Sequence, residues 1–139
     1  MNKLILKFEP DLDFILIAIT VPLRDYRFCY KLNKQVNREF CRIGELELQF
    51  NAEEEPFFFS RYYFQDQQTE NDFYLLANKG SEGFLIPEMK TVDYFLLIHG
   101  FFDEDDLQHL LTQINKIPEV LVAAEVDPKK LKSKENLIF

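Results

Sequence analysis

The chain has 139 residues, of which 47% are hydrophobic and 29% charged, so its composition is that of one globular domain rather than of a disordered segment. Acidic residues outnumber basic ones by 24 to 16, and the resulting net charge of −8 disfavours binding to nucleic acid or to anionic membrane. The longest apolar run, residues 14–19, is too short to cross a bilayer, and no signal peptide is recognisable, so the sequence predicts a cytoplasmic protein without membrane association.

The N-terminal part of the chain predicts two strands followed by a helix. Residues 3–8 and 14–19 are apolar and strand-like, and the turn-forming residues between them separate the two strands. Thr20 is expected to cap the helix, and Pro22 suits its first turn. No Gly or Pro interrupts the sequence from there to about Val36, where we expect the helix to end.

The middle of the chain alternates short strands with polar turns. The predicted strands are residues 39–43, 46–50, 57–64, 73–78 and 84–86. Residues 65–72 are polar and are expected to form the most mobile loop. Pro87 is expected to end a strand or to lie at a sheet edge, because proline cannot donate a ladder hydrogen bond.

The C-terminal part predicts a strand, the clearest helix and a last strand. Residues 92–99 are strongly apolar, and Asp103 is a plausible cap for the helix that follows. One apolar stripe identifies that helix: Leu107, Leu110, Leu111, Ile114 and Ile117. Pro118 ends it, and residues 120–126 form the final strand. The sequence therefore predicts a single α+β domain with a mainly antiparallel sheet of five to seven strands and two principal helices, packed mostly on one face.

Residues 86–94 read IPEMKTVDY and resemble the signature of the IPExxxVDY family of Bacteroidetes proteins. Further similar features are Asp25-Tyr26-Arg27, Leu32-Asn33, Asn78-Lys79, residues 95–98 and residues 131–137. The resemblance covers nearly the whole chain and implies a small cytoplasmic bacterial protein. It implies no activity and no catalytic residues, because the family has none established.

The signature segment (residues 86–94) contains two carboxylates, Glu88 and Asp93, and paired carboxylates can carry out acid–base chemistry. Strand alternation puts Asp93 and His99 on one face, but six residues of strand separate them by about 20 Å, too far for a dyad. An enzyme with a site near Glu88, Asp93 and His99 is one hypothesis. In the structural alternative, Pro87 fixes the turn before the strand that contains Tyr94, and the carboxylates accept hydrogen bonds from the backbone or from Lys and Arg.

Basic residues of the first helix recur at i, i+3, i+7, i+10 and i+14, and they fall within an arc of about 80° if the helix reaches the last one. They are Arg24, Arg27, Lys31, Lys34 and Arg38. This stripe is either the solvated back of an amphipathic helix or a docking surface for an acidic protein partner. RNA binding normally adds stacking aromatic residues beside the charge, and their absence from this arc disfavours RNA.

The opposite arc of the helix is expected to face the sheet. Its residues are Tyr26, Cys29, Tyr30, Leu32 and Val36. Asn33 points toward the centre of this arc, where an unpaired amide would cost about 1–3 kcal/mol. We therefore predict that the Asn33 amide bonds to backbone groups of a neighbouring strand or turn.

No motif indicates a cofactor, a metal site or a set of catalytic residues. The sequence contains no phosphate loop, dinucleotide fingerprint, metal-ligand spacing or serine elbow, and Cys29 and Cys41 form no CxxC pair. Core burial is expected to account for most of the aromatic residues at 57–64 and 101–102, and any left exposed would suggest a homodimer surface. The favoured hypothesis is a non-catalytic interaction or adaptor protein that docks an acidic partner through the basic stripe; the enzyme and an RNA-associated protein are the alternatives.

Overall fold

An antiparallel sheet lies at the centre of the computed structural model, which describes residues 12–139. Within that range the sheet has six strands: β1 (Ile15–Thr20), β2 (Cys41–Leu48), β3 (Phe57–Asp66), β4 (Asn71–Ala77), β5 (Tyr94–His99) and β6 (Val122–Val126). Their order is β2-β3-β4-β5-β1-β6, so β2 and β6 form the edges. The α+β class and the number of strands confirm the prediction. The strand predicted at residues 3–8 lies outside the described residues.

Two helices, α1 (Asp25–Val36) and α2 (Glu104–Asn115), cover one face of the sheet as predicted. Phe28 and Leu32 of α1 and Leu110 and Ile114 of α2 are buried in one core with the inward side chains of the strands, including Leu96. Asp103 caps α2 as expected, because its side chain accepts the Asp106 N–H at 2.8 Å. The 3.6-residue periodicity of the leucines thus places α2 correctly from the sequence.

Over the range of the chain that the structure describes, no α-helix covers the other face of the sheet. Residues 85–92 and the C-terminal segment, which contains short 3₁₀ helices at Pro128–Lys130 and Lys134–Leu137, lie over it. Leu85, Ile86 and Leu137 are buried there against Phe95 and Leu97 of β5. The central strands are therefore buried on both faces, which explains why their sequences are apolar without alternation.

Edge strand β2 unites two segments that the sequence predicts as separate strands. Its register with β3 shifts between Ile43 and Leu46, which indicates a β-bulge beside Gly44. The Arg61 Nε donates to the Gly44 carbonyl at 2.9 Å and so stabilises the irregular backbone. Exposed charges at Arg42 and Glu45 and the bulge both discourage pairing of this edge with another chain.

The long polar loop predicted at residues 65–72 is wrong, because the β3–β4 ladder includes four of these eight residues. Asp66 pairs with Asn71, leaving only four residues in the turn. Side chains support the ladder near this end: the Tyr63 hydroxyl donates to Asp72 at 2.5 Å across the two strands. Polar residues are compatible with strand structure here because their side chains are hydrogen-bonded: Asp72 accepts the Tyr63 hydroxyl, and the buried Asn71 amide donates to the His99 and Phe101 carbonyls.

The predicted strand at residues 84–86 is also wrong. Phe84 makes one isolated bridge with Lys79, and Ile86 precedes a 3₁₀ helix at Pro87–Met89. Pro87 therefore begins a helical turn instead of ending a strand, a position where its missing N–H costs nothing. The final strand likewise begins at Val122, two residues later than predicted.

Helix α1 begins later than the sequence predicts, and Thr20 does not cap it. Thr20 is the last residue of β1, and its hydroxyl donates to the Thr91 carbonyl at 3.2 Å. The residue preceding the helix is Arg24, whose backbone is extended and whose side chain makes no capping bond. The chain between Thr20 and Arg24 is held by distant residues, described below, so its conformation was not readable from local sequence.

Candidate docking face and signature segment

The basic stripe predicted on α1 is shorter in the structure than in the sequence. Helix α1 ends at Val36, and Asn37 follows in the left-handed conformation with φ 54°. Arg38 therefore lies beyond the helix, so the prediction that it continues the stripe is wrong. Its guanidinium is half-buried over the Phe73 ring, 5.0 Å from the ring centroid.

Lys31 is not a free cation of the stripe either. Its Nζ donates to Glu119 Oε2 at 2.6 Å, and each of the two side chains is about one-third exposed. This hydrogen bond lowers the pKa of Glu119. The pair joins α1 to the loop after α2. A partner that bound Lys31 would therefore have to break this ion pair.

The two tyrosines expected to face the sheet are exposed, which contradicts the predicted inner arc. Tyr26 is 61% and Tyr30 is 60% exposed, whereas Phe28 is buried with Cys29 and Leu32. The reason is the position of Phe28, which is buried on α1 together with Cys29 and Leu32. The buried side of the helix is therefore centred on these residues and not on the predicted arc that included Tyr26 and Tyr30. The tyrosines then lie beside the basic stripe and are exposed to solvent.

One surface of α1 therefore combines exposed cations with exposed aromatic rings. We call it the α1 face; its members are Arg24, Tyr26, Arg27, Tyr30 and Lys34, all exposed. The Lys34 ammonium lies 4.9 Å from the centroid of the Tyr30 ring, within the range of a cation–π interaction. Among residues 12–139, no ion pair occupies Arg24, Arg27 or Lys34, so their charges remain available to a partner.

Asn33 bonds to backbone groups as predicted. Its Oδ1 accepts the Phe40 N–H at 2.8 Å, and its Nδ2 donates to the Phe40 carbonyl at 3.1 Å. The amide thereby fixes the connection between α1 and β2. Cys29 is buried beside it, and burial raises the pKa of the Cys29 thiol to about 11, which agrees with its assignment to the core.

Glu88, Asp93 and Tyr94 of the signature segment are each hydrogen-bonded to a residue outside it. Glu88 accepts the Ser133 N–H at 2.9 Å and the Ser133 hydroxyl at 2.8 Å, which ties the segment to the C-terminal tail. Asp93 Oδ2 accepts the Val21 N–H at 2.8 Å, and the Tyr94 hydroxyl donates to the Leu23 carbonyl at 2.6 Å. These last two bonds set the bend that leads into α1.

The electrostatics of the two carboxylates differ. Partial burial opposes ionisation of Glu88, but the hydrogen bonds from Ser133 outweigh it and lower the pKa of Glu88. Burial raises the pKa of Asp93 against the opposing effect of the Val21 hydrogen bond. Burial likewise raises the pKa of the Tyr94 hydroxyl. Burial and hydrogen bonds to the backbone and to Ser133 therefore together set the electrostatics of these three side chains.

Asn78 has a hydrogen-bonding role in this region that the sequence did not predict. It is fully buried, and its Oδ1 accepts the Ile86 N–H at 2.8 Å. Its Nδ2 donates to the carbonyls of Met89 and Val92, at 2.9 and 2.8 Å. The amide thus satisfies three backbone groups of the signature segment. Apart from the family resemblance of Asn78-Lys79, the sequence signal was an asparagine at the end of a predicted strand, which is too common to identify such a role.

Glu88, Asp93 and His99, the residues of the enzyme hypothesis, are not brought together. His99 lies at the far end of β5 from Asp93, where its ring is 5.5 Å from the Phe14 ring and 6.0 Å from the Tyr74 ring, centroid to centroid. His109 is exposed on α2. Within residues 12–139, no group of three or more His, Cys, Asp or Glu side chains could hold a metal ion.

The comparisons with known proteins give no family. No protein-family model matches the chain, and the search of curated proteins returns no match. In the part of the chain that the structure describes, no helix has the length and apolar character needed to cross a membrane.

Proposed function

We propose that the protein is a non-catalytic interaction protein that docks an acidic segment of a partner protein on the α1 face. The observation that carries the proposal is the pairing of exposed Tyr26 and Tyr30 with the free cations Arg27 and Lys34. Tyrosine and arginine are the residue types most often found at the energetic centres of protein interfaces. When a carboxylate of an acidic segment binds these cations, the neighbouring backbone or side chains of that segment would pack on the tyrosine rings.

Charge complementarity favours an acidic protein segment over other occupants. The α1 face concentrates free positive charge in a chain whose net charge is −8. A short acidic segment meets only this face, and repulsion from the rest of the protein is screened beyond about 8–10 Å in physiological salt. An RNA strand would continue past the face with a charge at every nucleotide.

RNA remains the second candidate because one reason against it no longer holds. The sequence places no aromatic residue beside the basic stripe, but Tyr30 and Tyr26 are exposed there. Base stacking on such rings is typical of single-strand binding. The net charge of the chain still disfavours it, so nuclease sensitivity is built into the test.

We propose further that the chain belongs to the IPExxxVDY family and acts in the cytoplasm. Residues 86–94 carry the resemblance, and their hydrogen bonds to Val21, Leu23 and Ser133 give a structural reason for that pattern.

A homodimer through exposed aromatic residues is a further candidate, supported by the exposure of Phe101 and Phe58. Light scattering at high concentration separates it from the α1 proposal, which requires no dimer.

The experiment is affinity capture from native extract, with and without nuclease, followed by identification of the bound segment. We expect the native chain to retain a protein through an acidic stretch, in a salt-sensitive manner, and the Arg27→Glu/Lys34→Glu variant to lose it. Lys31 is left unchanged because it binds Glu119. The matched control, Lys79→Glu/Lys90→Glu, carries the same change of charge at exposed lysines elsewhere and should retain the partner.

Two results would contradict the proposal. Equal capture by the native chain and by the Arg27→Glu/Lys34→Glu variant would make the α1 face an ordinary solvated surface. Loss of capture after nuclease treatment would assign the face to RNA. The folded state of each variant is checked by its circular dichroism and melting temperature, which should match the native values because both altered side chains are exposed.

A further inference from the structure

A groove of about 760 Å³ lies between the C-terminal end of α1, the β3–β4 turn and the N-terminal half of α2. Its volume is in the range of sites that bind small molecules. The groove is distinct from the α1 face, since none of the five residues of that face lines it. Three charged side chains line it: Arg38, Asp66 and Asp106.

Arg38 is the cation of this groove, and its charge is only partly compensated. Its guanidinium is held over the Phe73 ring, and Nη1 donates to the Val36 carbonyl at 3.2 Å. No carboxylate among residues 12–139 forms an ion pair with it. Burial lowers the pKa of Arg38, and the more distant Asp66 and Asp106 oppose that effect. The remaining N–H groups of the fork are therefore free to bind a carboxylate of a ligand.

An exposed aromatic ring lies at the same groove on a fixed loop. Phe101 is 85% exposed and lines the groove together with Phe102. The buried Asn71 amide fixes the loop, because its Nδ2 donates to the carbonyls of His99 and Phe101 at 3.1 and 2.9 Å. Gly100 between them has φ +94°, a conformation that other residues rarely adopt. The loop thus presents Phe101 in a preorganised position at little entropic cost.

We propose that this groove binds a small zwitterionic ligand with an aromatic group. The carboxylate would lie on Arg38, the ammonium near Asp66 and Asp106, and the ring against Phe101. The charges decide this class, because Arg38 and the two carboxylates carry a formal net charge of −1; His109, which also lines the groove, is counted as neutral, as in the net charge of the chain. A simple anion would be repelled by the two carboxylates, and a simple cation would leave Arg38 unpaired. A zwitterion can pair with Arg38 and with the carboxylates at the same time.

The test is a protein-observed NMR titration of the full chain with three matched probes: L-phenylalanine, phenylacetate without the ammonium, and phenethylamine without the carboxylate. We expect L-phenylalanine to shift the amide signals of residues 35–38 and 101–110 in a saturable manner. Its Kd should be at least about tenfold below that of either other probe, the effect of one charge-assisted hydrogen bond.

Three variants locate the binding. Arg38→Gln, Asp106→Asn and Phe101→Ala should each weaken L-phenylalanine binding at least about tenfold, whereas Lys34→Gln on the α1 face should leave it unchanged. Phe101 is exposed, so its variant decides the question if Arg38→Gln unfolds. Equal binding of the three probes, no saturable shift at the groove, or undiminished binding to folded Phe101→Ala would overturn the proposal. None of these results bears on the α1 face.

Discussion

Asn78 and Val92 are joined by a buried hydrogen bond, from the Asn78 Nδ2 to the Val92 carbonyl at 2.8 Å. The same side chain accepts the Ile86 N–H and donates to the Met89 carbonyl. One amide therefore binds three backbone groups of the signature segment. Because Asn78 also makes backbone bonds to Asp93 and Leu85, the segment is fixed to the end of β4 at several points.

Replacing Asn78 by alanine should destabilise the protein strongly. The Asn78→Ala variant leaves the Ile86 N–H and the Val92 carbonyl without a partner, and the Met89 carbonyl keeps only the Val92 N–H. We expect the free energy of unfolding to fall by about 3 kcal/mol or more. Urea denaturation checks this. Asn136→Ala is the matched control, because Asn136 donates one bond to the neighbouring Leu85 carbonyl and should cost about 1 kcal/mol. Similar losses for the two variants would contradict the role given to Asn78.

Glu88 should stabilise the fold in a pH-dependent way. Its folded pKa lies below the ordinary value of 4.5, so its contribution is present above that pH and is lost as the pH falls through the folded pKa. The native chain should be more stable than Glu88→Gln at pH 7, by less than about 1 kcal/mol because the site is exposed. The difference should shrink toward pH 3 in urea titrations.

The pKa of Asp93 is shifted in the opposite direction to that of Glu88, so its variant should show the opposite pH dependence of stability. Its folded pKa is raised, so its contribution is fully present below the ordinary value of 3.8 and is reduced as the pH rises through the folded pKa. Asp93→Asn keeps an oxygen acceptor for the Val21 N–H and removes the buried charge. We expect this variant to gain stability relative to the native chain as the pH rises from 3 to 7. A parallel response of the Glu88 and Asp93 variants would contradict both assignments.

The two cysteines should react at very different rates. Cys41 is exposed, whereas Cys29 is buried and burial raises its thiol pKa to about 11. At pH 8 we expect iodoacetamide to modify Cys41 while Cys29 stays unmodified in the folded protein, since only the thiolate reacts. Peptide mass spectrometry after a timed pulse measures this, with denatured protein as the control in which both react. Equal labelling in the folded state would show that α1 opens readily.

Asn115 should protect the β6 edge of the sheet from pairing with another chain. Its Oδ1 accepts the Ala123 N–H at 2.9 Å, and its Nδ2 donates to the Ala123 carbonyl at 3.0 Å, as a neighbouring strand would. Asn115→Ala frees both groups beside the exposed Leu121 and Val122. We expect increased self-association by light scattering and a stability loss of about 1 kcal/mol. Asn51→Ala, on an exposed turn, should remain as monodisperse as the native chain.

The sequence was sufficient for those elements whose signals are local. Leu107, Leu110 and Ile114 define α2 by their spacing, and Asp103 caps it as local rules predict. The start of α1 was not predictable because Asp93 and Tyr94 set it through bonds to Val21 and Leu23, some 70 positions away. Such contacts leave no periodic trace in the sequence.

The candidate sites show the same division. Arg24, Arg27 and Lys34 were predicted on one exposed arc and lie there, but Tyr30 was placed on the opposite arc, which was expected to face the sheet. Phe28 occupies the core position, so the tyrosine hydroxyl remains in water. The groove beside Arg38 depends on where α1 ends and on how the β3–β4 turn packs. Neither could be read from a single segment of sequence.

The most direct test of the docking proposal is photo-crosslinking from the centre of the α1 face. Tyr30 is replaced by p-benzoylphenylalanine, which preserves an aromatic ring at an exposed position, and the chain is irradiated in native extract. We expect an adduct to an acidic protein segment. This adduct should persist after nuclease treatment and in the Lys79→Glu/Lys90→Glu variant. It should disappear in the Arg27→Glu/Lys34→Glu variant. An adduct to nucleic acid, or a protein adduct unaffected by reversing those two charges, would contradict the docking proposal.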